Sequence, residues 1–305
     1  MSEDRPRFKS GFVAIVGRAN AGKSTLVNAM LGRKVTIVSS KPQTTRLRVH
    51  GIINGDQTQI VMIDTPGLQK AESGLGRQMM HETQQAIEGI DSLALIVDAS
   101  ELFGRGDQFS LKWIEKFHGP VDLLLNKIDR MPKHELLPLM ERYAAAYNFT
   151  EIIPISALKG DGLLALLDVW KSRLKEGPRY FPEDQFTDQP ERFMAAEFVR
   201  EKVIQETKAE VPHAVMVMVD NFEEGETQTR IEATIYVERE GQKGIVIGKG
   251  GAMLKKIGTA ARKDIEKLVG TKVFLGLRVK VLENWRQRTS ILQQMDWRRE
   301  IPEES

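Results

Sequence analysis

Two apolar rhythms alternate along the first 175 or so residues of the chain. Runs at 12–16, 58–63, 92–97, 121–125 and 151–155 are apolar nearly throughout, which predicts strands of a parallel sheet covered on both faces. Between them, segments near 23–31, 75–90, 107–117, 134–147 and 161–175 carry helix-like patterns. Residues 46–54 and 58–64 flank the turn pair Gly55-Asp56, so a hairpin is expected to add one antiparallel edge strand. The alternation predicts a doubly wound α/β domain with a mostly parallel sheet over residues 1–178.

The rhythm then breaks. Residues 177–190 hold Pro178, Pro182 and Pro190 and few periodic apolar positions, and 179–190 is expected to be a linker. Beyond it the pattern predicts a helix over 191–208, strands over 214–220 and 229–238, and helical segments on either side of a glycine cluster at 248–251. The second of these is a long helix to about 269, and a final strand comes after it over 272–282. That order (helix, strand, strand, helix, helix, strand) describes a compact α+β domain over 191–305.

Composition narrows the class. Of 305 residues, 41% are hydrophobic and 28% charged, the profile of a globular protein. The absence of cysteine excludes a disulfide framework and a thiolate zinc site, and makes a reducing cytoplasm the expected setting. The first ten residues lack the apolar stretch of a secretory signal, and no apolar run approaches the length of a membrane span. Membrane contact is therefore expected to be peripheral only.

Candidate chemistry begins at Gly17-Arg-Ala-Asn20-Ala21-Gly22-Lys23-Ser24-Thr25, a Gly-x4-Gly-Lys-Ser string between a predicted strand and a predicted helix. Its glycines let backbone N–H groups converge on a phosphate at the positive end of the helix dipole. Lys23 is expected to bridge β- and γ-phosphate oxygens, and the Ser24 hydroxyl to ligate Mg²⁺. Asp64-Thr-Pro-Gly67 comes directly after the apolar run at 58–63. Asp64 is expected to hold the Mg²⁺ shell, and Gly67 to offer its N–H to the γ-phosphate. Asn126-Lys127-Ile-Asp129 comes after the run at 121–125. Asp129 can accept hydrogen bonds from the N1–H and 2-amino group of guanine, a donor pair that adenine lacks. Asn126 is expected to face N7 and brace the loop, and Lys127 to cover the base plane. Ser156 and Ala157 lie just past the last run, and the Ala157 N–H is expected to meet the guanine carbonyl oxygen.

In this order the motifs resemble the translation-factor-related GTPases. The resemblance implies that Val38-Ser-Ser-Lys-Pro-Gln-Thr44-Thr45-Arg46 is the first switch, with Thr45 rather than Thr44 reaching Mg²⁺ and the γ-phosphate. Many such enzymes carry a water-orienting glutamine after the Asp-x-x-Gly glycine; here Leu68 stands there, so slow intrinsic hydrolysis is expected. Asn20 matches an asparagine that helps coordinate K⁺ in potassium-activated relatives, which makes K⁺ stimulation a second expectation.

Charge is distributed unevenly behind the net +2. Residues 179–240 hold 7 Lys+Arg against 15 Asp+Glu, a net of −8, whereas residues 241–290 hold 12 against 3, a net of +9. A basic block of this kind is the footprint of a polyanion partner. Within it lies Gly248-Lys249-Gly250-Gly251, the Gly-x-x-Gly form with which KH domains clamp single-stranded nucleic acid. Lys243 and Lys255 are expected to reach phosphate, and Ile247, with Ile245, Val246, Met253, Leu254 and Ile257, to offer an apolar groove in which some positions are core. The whole chain resembles a family of bacterial ribosome-assembly GTPases that join a GTPase domain to a type II KH domain. The shared strings include Phe181-Pro-Glu-Asp184, Arg192-Phe-Met-Ala195, Val237-Glu-Arg-Glu-Gly-Gln242 and Ala261-Arg-Lys-Asp264. The resemblance implies a monomer that binds GTP or GDP with Mg²⁺ and the 3′ end of small-subunit ribosomal RNA. It further implies a role in maturation of the 30S-type subunit and a cytoplasmic protein that also visits the inner face of the cell membrane. Ala19 and Ala21 depart from the family's usual proline and valine.

Overall fold

The structure, a computed structural model, describes residues 7–208 and 210–299. These fall into two compact units. The first comprises residues up to Thr36, Thr45–Lys70 and Met79–Asp188; the second comprises Ile37–Thr44, Ala71–Gln78 and residues from Gln189 onward.

In chain order the elements of the α/β half are β1 (Lys9–Val16), α1 (Lys23–Leu31), β2 (Val49–Gly55), β3 (Thr58–Asp64), α2 (Gly74–Gln85), β4 (Ser92–Asp98) and α3 (Arg105–Ile114). β5 (Val121–Asn126), α4 (Lys133–Ala146), β6 (Glu151–Pro154), α5 (Leu163–Arg173) and β7 (Lys175–Glu176) complete it. The sheet runs β2-β3-β1-β4-β5-β6, with short β7 antiparallel to the start of β1. Pairings among β3, β1, β4, β5 and β6 are parallel, and β2 is antiparallel to β3 through the expected hairpin. Leu93–Val97 of β4 and Leu123–Leu125 of β5 are buried at every position, as a sheet covered on both faces requires. The C-terminal ends of β1, β3, β4 and β5 therefore line one edge, the place where open α/β sheets bind ligands.

Residues 179–188 do not hang free. They run along β2: Ile52 N–H donates to Phe186 O at 2.9 Å, Gly51 bridges Thr187, and His50 pairs with Asp188. Fully buried Gln59 holds the start of this strap, accepting from Tyr180 N–H at 2.8 Å and Phe181 N–H at 3.1 Å while donating to Phe181 O at 2.8 Å. The strap satisfies an edge strand that would otherwise present unpaired N–H and C=O groups.

The second unit is built from α6 (Glu191–Glu206), α7 (Val211–Ala214), β8 (Met216–Glu223), β9 (Gln228–Val237), α8 (Glu240–Ile247), α9 (Ala252–Val269), β10 (Lys272–Val281) and α10 (Thr289–Gln294). Its sheet has the order β10-β9-β8, with β10 parallel and β8 antiparallel to β9. Two details differ from the sequence-based expectation. Ala214 closes a short helix with Pro212 in its first turn instead of opening the strand. Past residue 282, where no element is expected, Trp285 is fully buried and its indole N–H donates to Ala214 O at 2.9 Å. Among the described residues no helix is long and apolar enough to cross a membrane.

Gln59→Leu leaves the Tyr180 and Phe181 backbone groups without their partner. Urea unfolding should show a loss of about 2 kcal/mol, and limited proteolysis should gain a cleavage within 179–187.

Candidate functional sites

The turn from β1 into α1 is shaped by backbone demands. Gly22 caps α1 with φ +104°, and Asn20 sits left-handed at φ +64°. A Cβ on Gly17 would lie 2.2 Å from Ile96 O, and one on Gly22 would lie 2.2 Å from Asn126 Nδ2, so a side chain at Gly17 meets backbone and one at Gly22 has to displace Asn126. Ala21 packs beneath the loop, and Thr25 lies in the first turn of α1 behind Ser24. Buried Lys23 donates from Nζ to Gly17 O at 3.0 Å and Arg18 O at 2.8 Å. Burial pushes its pKa down to about 8, against the pull of the Asp64 carboxylate.

Asp64 closes β3 at 0% exposure, and its Oδ2 gathers three hydroxyls: Ser24 Oγ at 2.8 Å, Thr36 Oγ1 at 3.0 Å and Thr45 Oγ1 at 3.4 Å. The Ser24 and Thr45 hydroxyls are 2.9 Å apart. Desolvation pushes the Asp64 pKa up, and Lys23 and the hydroxyls oppose the shift. Its buried Oδ1 makes no hydrogen bond among the described residues. A carboxylate oxygen left unmatched beside three hydroxyl oxygens is a hard-donor set that suits Mg²⁺. Thr36 is an addition to the expected set. It is presented by Asn28, whose Oδ1 accepts from Val35 N–H at 2.9 Å and Thr36 N–H at 3.1 Å. Gly67 lies against the phosphate loop, where an added Cβ would meet Ala19 N at 2.9 Å, and Leu68 N–H donates to Gly17 O at 2.9 Å. The Leu68 side chain is 4% exposed and belongs to the core.

The third group of loops sits beside the phosphate loop. Asn126, 2% exposed, donates to Ala21 O at 2.8 Å and accepts the Ala157 N–H at 2.9 Å. The Ala157 amide, expected to meet a guanine oxygen, thus also braces Asn126, whose buried side-chain oxygen needs a donor. Asp129 is exposed, and Ser156 fixes it by donating to Oδ1 at 2.6 Å. Lys127, left-handed at φ +68°, donates to Asn20 O at 2.7 Å and to Asp98 Oδ2 at 2.5 Å. Burial works to raise the Asp98 pKa, yet the bonds from Lys127 and Ser100 hold it below the usual range. No motif marks Asp98; the one available signal is an acidic residue ending an apolar strand, in register with Asn126.

In the second unit, Gly248, Gly250 and Gly251 adopt φ of +72°, +59° and +81° between α8 and α9. A Cβ on Gly250 or Gly251 would meet nothing within 4 Å, whereas one on Gly248 would strike Met253. The turn is therefore open beside Gly250 and Gly251, and Lys249 is exposed. Lys243 stands on α8 with Ile247 one turn further on, and Lys255 on the first turn of α9. Gln242 fixes α8 by accepting from Glu238 N–H at 2.9 Å and Arg239 N–H at 3.1 Å. Val246 and Ile257 are the positions of the expected groove that prove to be core. The actual cleft, about 470 Å³, runs between α9 (Leu254, Lys255, Gly258, Arg262) and β10 (Val273, Leu275, Leu277). Phe274 stands on its rim, 47% exposed, with Arg230 over its ring. The β10 wall lies about twenty residues beyond the glycines and carries no motif, so only the fold brings it there.

Phosphate loop, hydroxyl-ringed carboxylate and guanine-reading loop on one sheet, with a glycine turn between two helices further along the chain, define a GTPase joined to a KH domain. Comparison with known families agrees. The family described as 50S ribosome-binding GTPase matches residues 12–127, and the KH domain family matches 210–286. A crystal structure of Era in complex with MgGDPNP and nucleotides 1506–1542 of 16S ribosomal RNA is 40% identical. The match covers 95% of this chain and 99% of that one with a TM-score of 0.92. A point variant of Aquifex aeolicus Era bound to GDP·AlF4⁻ is also 40% identical over the same shares, with a TM-score of 0.91. The chain belongs to the Era family.

Gly22→Ala must push Asn126 off Ala21 O. Guanine-nucleotide titration should show an affinity loss of tenfold or more, about the value of one or two buried hydrogen bonds, while far-UV circular dichroism stays unchanged.

Proposed function

We propose that this chain is a slow GTP-hydrolysing switch whose second unit binds the 3′ end of small-subunit ribosomal RNA and assists maturation of that subunit. The observation that carries the nucleotide reading is the arrangement at the strand ends. Buried Lys23 donates to carbonyl groups of the phosphate loop, Asp64 gathers Ser24 and Thr45, and Asp129 is held by Ser156. The Era relative crystallised with MgGDPNP and 16S ribosomal RNA supports both halves of the reading.

Mg²⁺ would be held by Ser24, Thr45 and Asp64, and supplies neutralisation of charge developing on the phosphate oxygens. Lys23 binds β- and γ-phosphate oxygens, and the Gly67 N–H meets the γ-phosphate. Asp129 selects guanine through its open carboxylate oxygen, and Asn126 with Lys127 keeps the loop rigid against the phosphate loop. Because Leu68 is buried, its position contributes no group to orient the attacking water. Asn20 offers K⁺ a ligand beside the phosphates, in place of an arginine finger. In the second unit, Gly248–Gly251 lets the RNA backbone approach while Lys243, Lys249 and Lys255 contact phosphate.

Asp129→Asn should exchange preference from guanine to xanthine nucleotides, read by competition titration; unchanged guanine preference would remove Asp129 from the base site. Lys249→Glu with Gly250→Asp should weaken binding of a single-stranded RNA carrying the 16S 3′-end sequence by about 100-fold, a loss on the scale of two phosphate contacts replaced by repulsion. GTP affinity should stay within twofold. Phosphate release should be faster in K⁺ than in Na⁺ buffer, and equal rates would exclude the cation role of Asn20.

A further inference from the structure

The C-terminal ends of β4 and β5 are fastened to each other by backbone alone. Asp98 lies in register with Asn126, and Ala99 N–H donates to Asn126 O at 2.8 Å. The Asp98 side chain takes no part in that pairing; its bonds go elsewhere. Oδ1 accepts from Ser100 twice, from Oγ at 2.6 Å and from the N–H at 3.1 Å, while Oδ2 accepts from Lys127 Nζ at 2.5 Å. The pair of bonds from Ser100 fixes the carboxylate, so Oδ2 is aimed before the ammonium reaches it. Burial alone would raise the Asp98 pKa, but the bonds from Lys127 and Ser100 outweigh it, and the carboxylate stays charged at neutral pH.

Lys127 is the partner that needs holding. Its backbone is left-handed, an uncommon conformation for a residue with a long side chain, and its four-carbon stem wanders unless the end is tied. Besides Asp98, Nζ meets Asn20 O at 2.7 Å, a neutral acceptor in the phosphate loop. The ammonium is therefore strung between the end of β4 and that loop, and Asp98 supplies the only charge of the two acceptors. Asn20, Asp98, Ser100 and Lys127 all belong to the first unit. We propose that Asp98 is a positioning residue for the guanine site: by holding the Lys127 ammonium it fixes the course of the stem that covers the base. This inference rests on the reading of Lys127 as the cover of the base plane. The base is common to GDP and GTP, so Asp98 acts on both alike. It is no part of the set around Asp64, so GTP once bound is hydrolysed at the parental rate.

The test uses the full chain with Asp98→Asn, which keeps the shape and removes the charge, Ser100→Ala, Lys127→Met, which keeps a stem without the ammonium, and the double variant Asp98→Asn with Lys127→Met. Affinities for fluorescent GDP and a non-hydrolysable GTP analogue, and single-turnover hydrolysis at saturating GTP, are the readouts. Asp98→Asn should weaken both nucleotides by the same factor of about tenfold, the scale of one charge-assisted hydrogen bond. Its hydrolysis rate at saturation should stay at the parental value, so the loss appears in binding and not in turnover. Ser100→Ala should give the same pattern at about threefold, the scale of a neutral hydrogen bond. Added to Lys127→Met, Asp98→Asn should cause no further loss, since both act through one contact.

Additive losses would overturn the proposal, as would unchanged affinities, a loss confined to the GTP analogue or slower hydrolysis at saturation. If Asp98→Asn does not fold, the exposed Ser100 decides, and an unchanged GDP affinity in Ser100→Ala overturns the proposal. If Lys127→Met itself leaves GDP affinity unaffected, the reading of Lys127 over the base fails first. A Lys127 effect without an Asp98 effect sinks only the present inference.

Discussion

A carboxylate buried at the end of a strand constrains most of what surrounds it. Asp64 is removed from water, and a charge in that position is tolerated only with donors or cations packed against it. The chain supplies them from separate places: Ser24 from the first turn of α1, Thr36 from the loop after α1, Thr45 from the approach to β2, and Lys23 through space. Each source segment has its own fastener, such as Asn28 for Thr36. The phosphate loop is further pinned from two sides, by Leu68 N–H on Gly17 and by Asn126 on Ala21. The site is consequently organised around a charge, and the geometry of the phosphate loop reflects the need to surround it.

The same backbone device serves twice with opposite surroundings. Both glycine turns precede a helix and use positive φ values. In the first, the space beside Gly17 and Gly22 is filled by Ile96 and Asn126, so the loop is held closely by its neighbours. In the second, the space beside Gly250 and Gly251 is open, so a ligand backbone can lie directly on the chain. A rigid cradle suits a small, invariant anion; an open turn suits a strand that arrives with its own shape.

Features written in contiguous residues were legible in the sequence. The parallel strands announced themselves by continuous apolar runs, and the Gly-x4-Gly-Lys-Ser, Asp-x-x-Gly and Asn-Lys-x-Asp strings each carry their chemistry within a few positions. What escaped were partners supplied by the fold. Asp98 meets Lys127 across 29 residues, Gln59 meets Phe181 across 122, and the β10 wall of the cleft faces α9 only because β10 pairs with β9. The partner of the Ala157 amide escaped for a related reason. The amide donates to the Asn126 oxygen across 31 residues, a contact that no local pattern records. Periodicity likewise left open that Val246 and Ile257 are the core positions of the stripe, since an amphipathic stripe does not reveal which element covers it.

The path of the chain between the two units has a consequence for dissection. It passes from one to the other after Thr36, Thr44, Lys70, Gln78 and Asp188, so two excursions leave the first unit and return before the final crossing. A cut near residue 188 would yield two polypeptides without yielding two complete units. The N-terminal fragment would keep both excursions but lose Glu201, Gln287 and the other residues that clasp them. Studied in isolation, such a fragment would report on the nucleotide chemistry of a protein with two loose ends that the intact chain does not have.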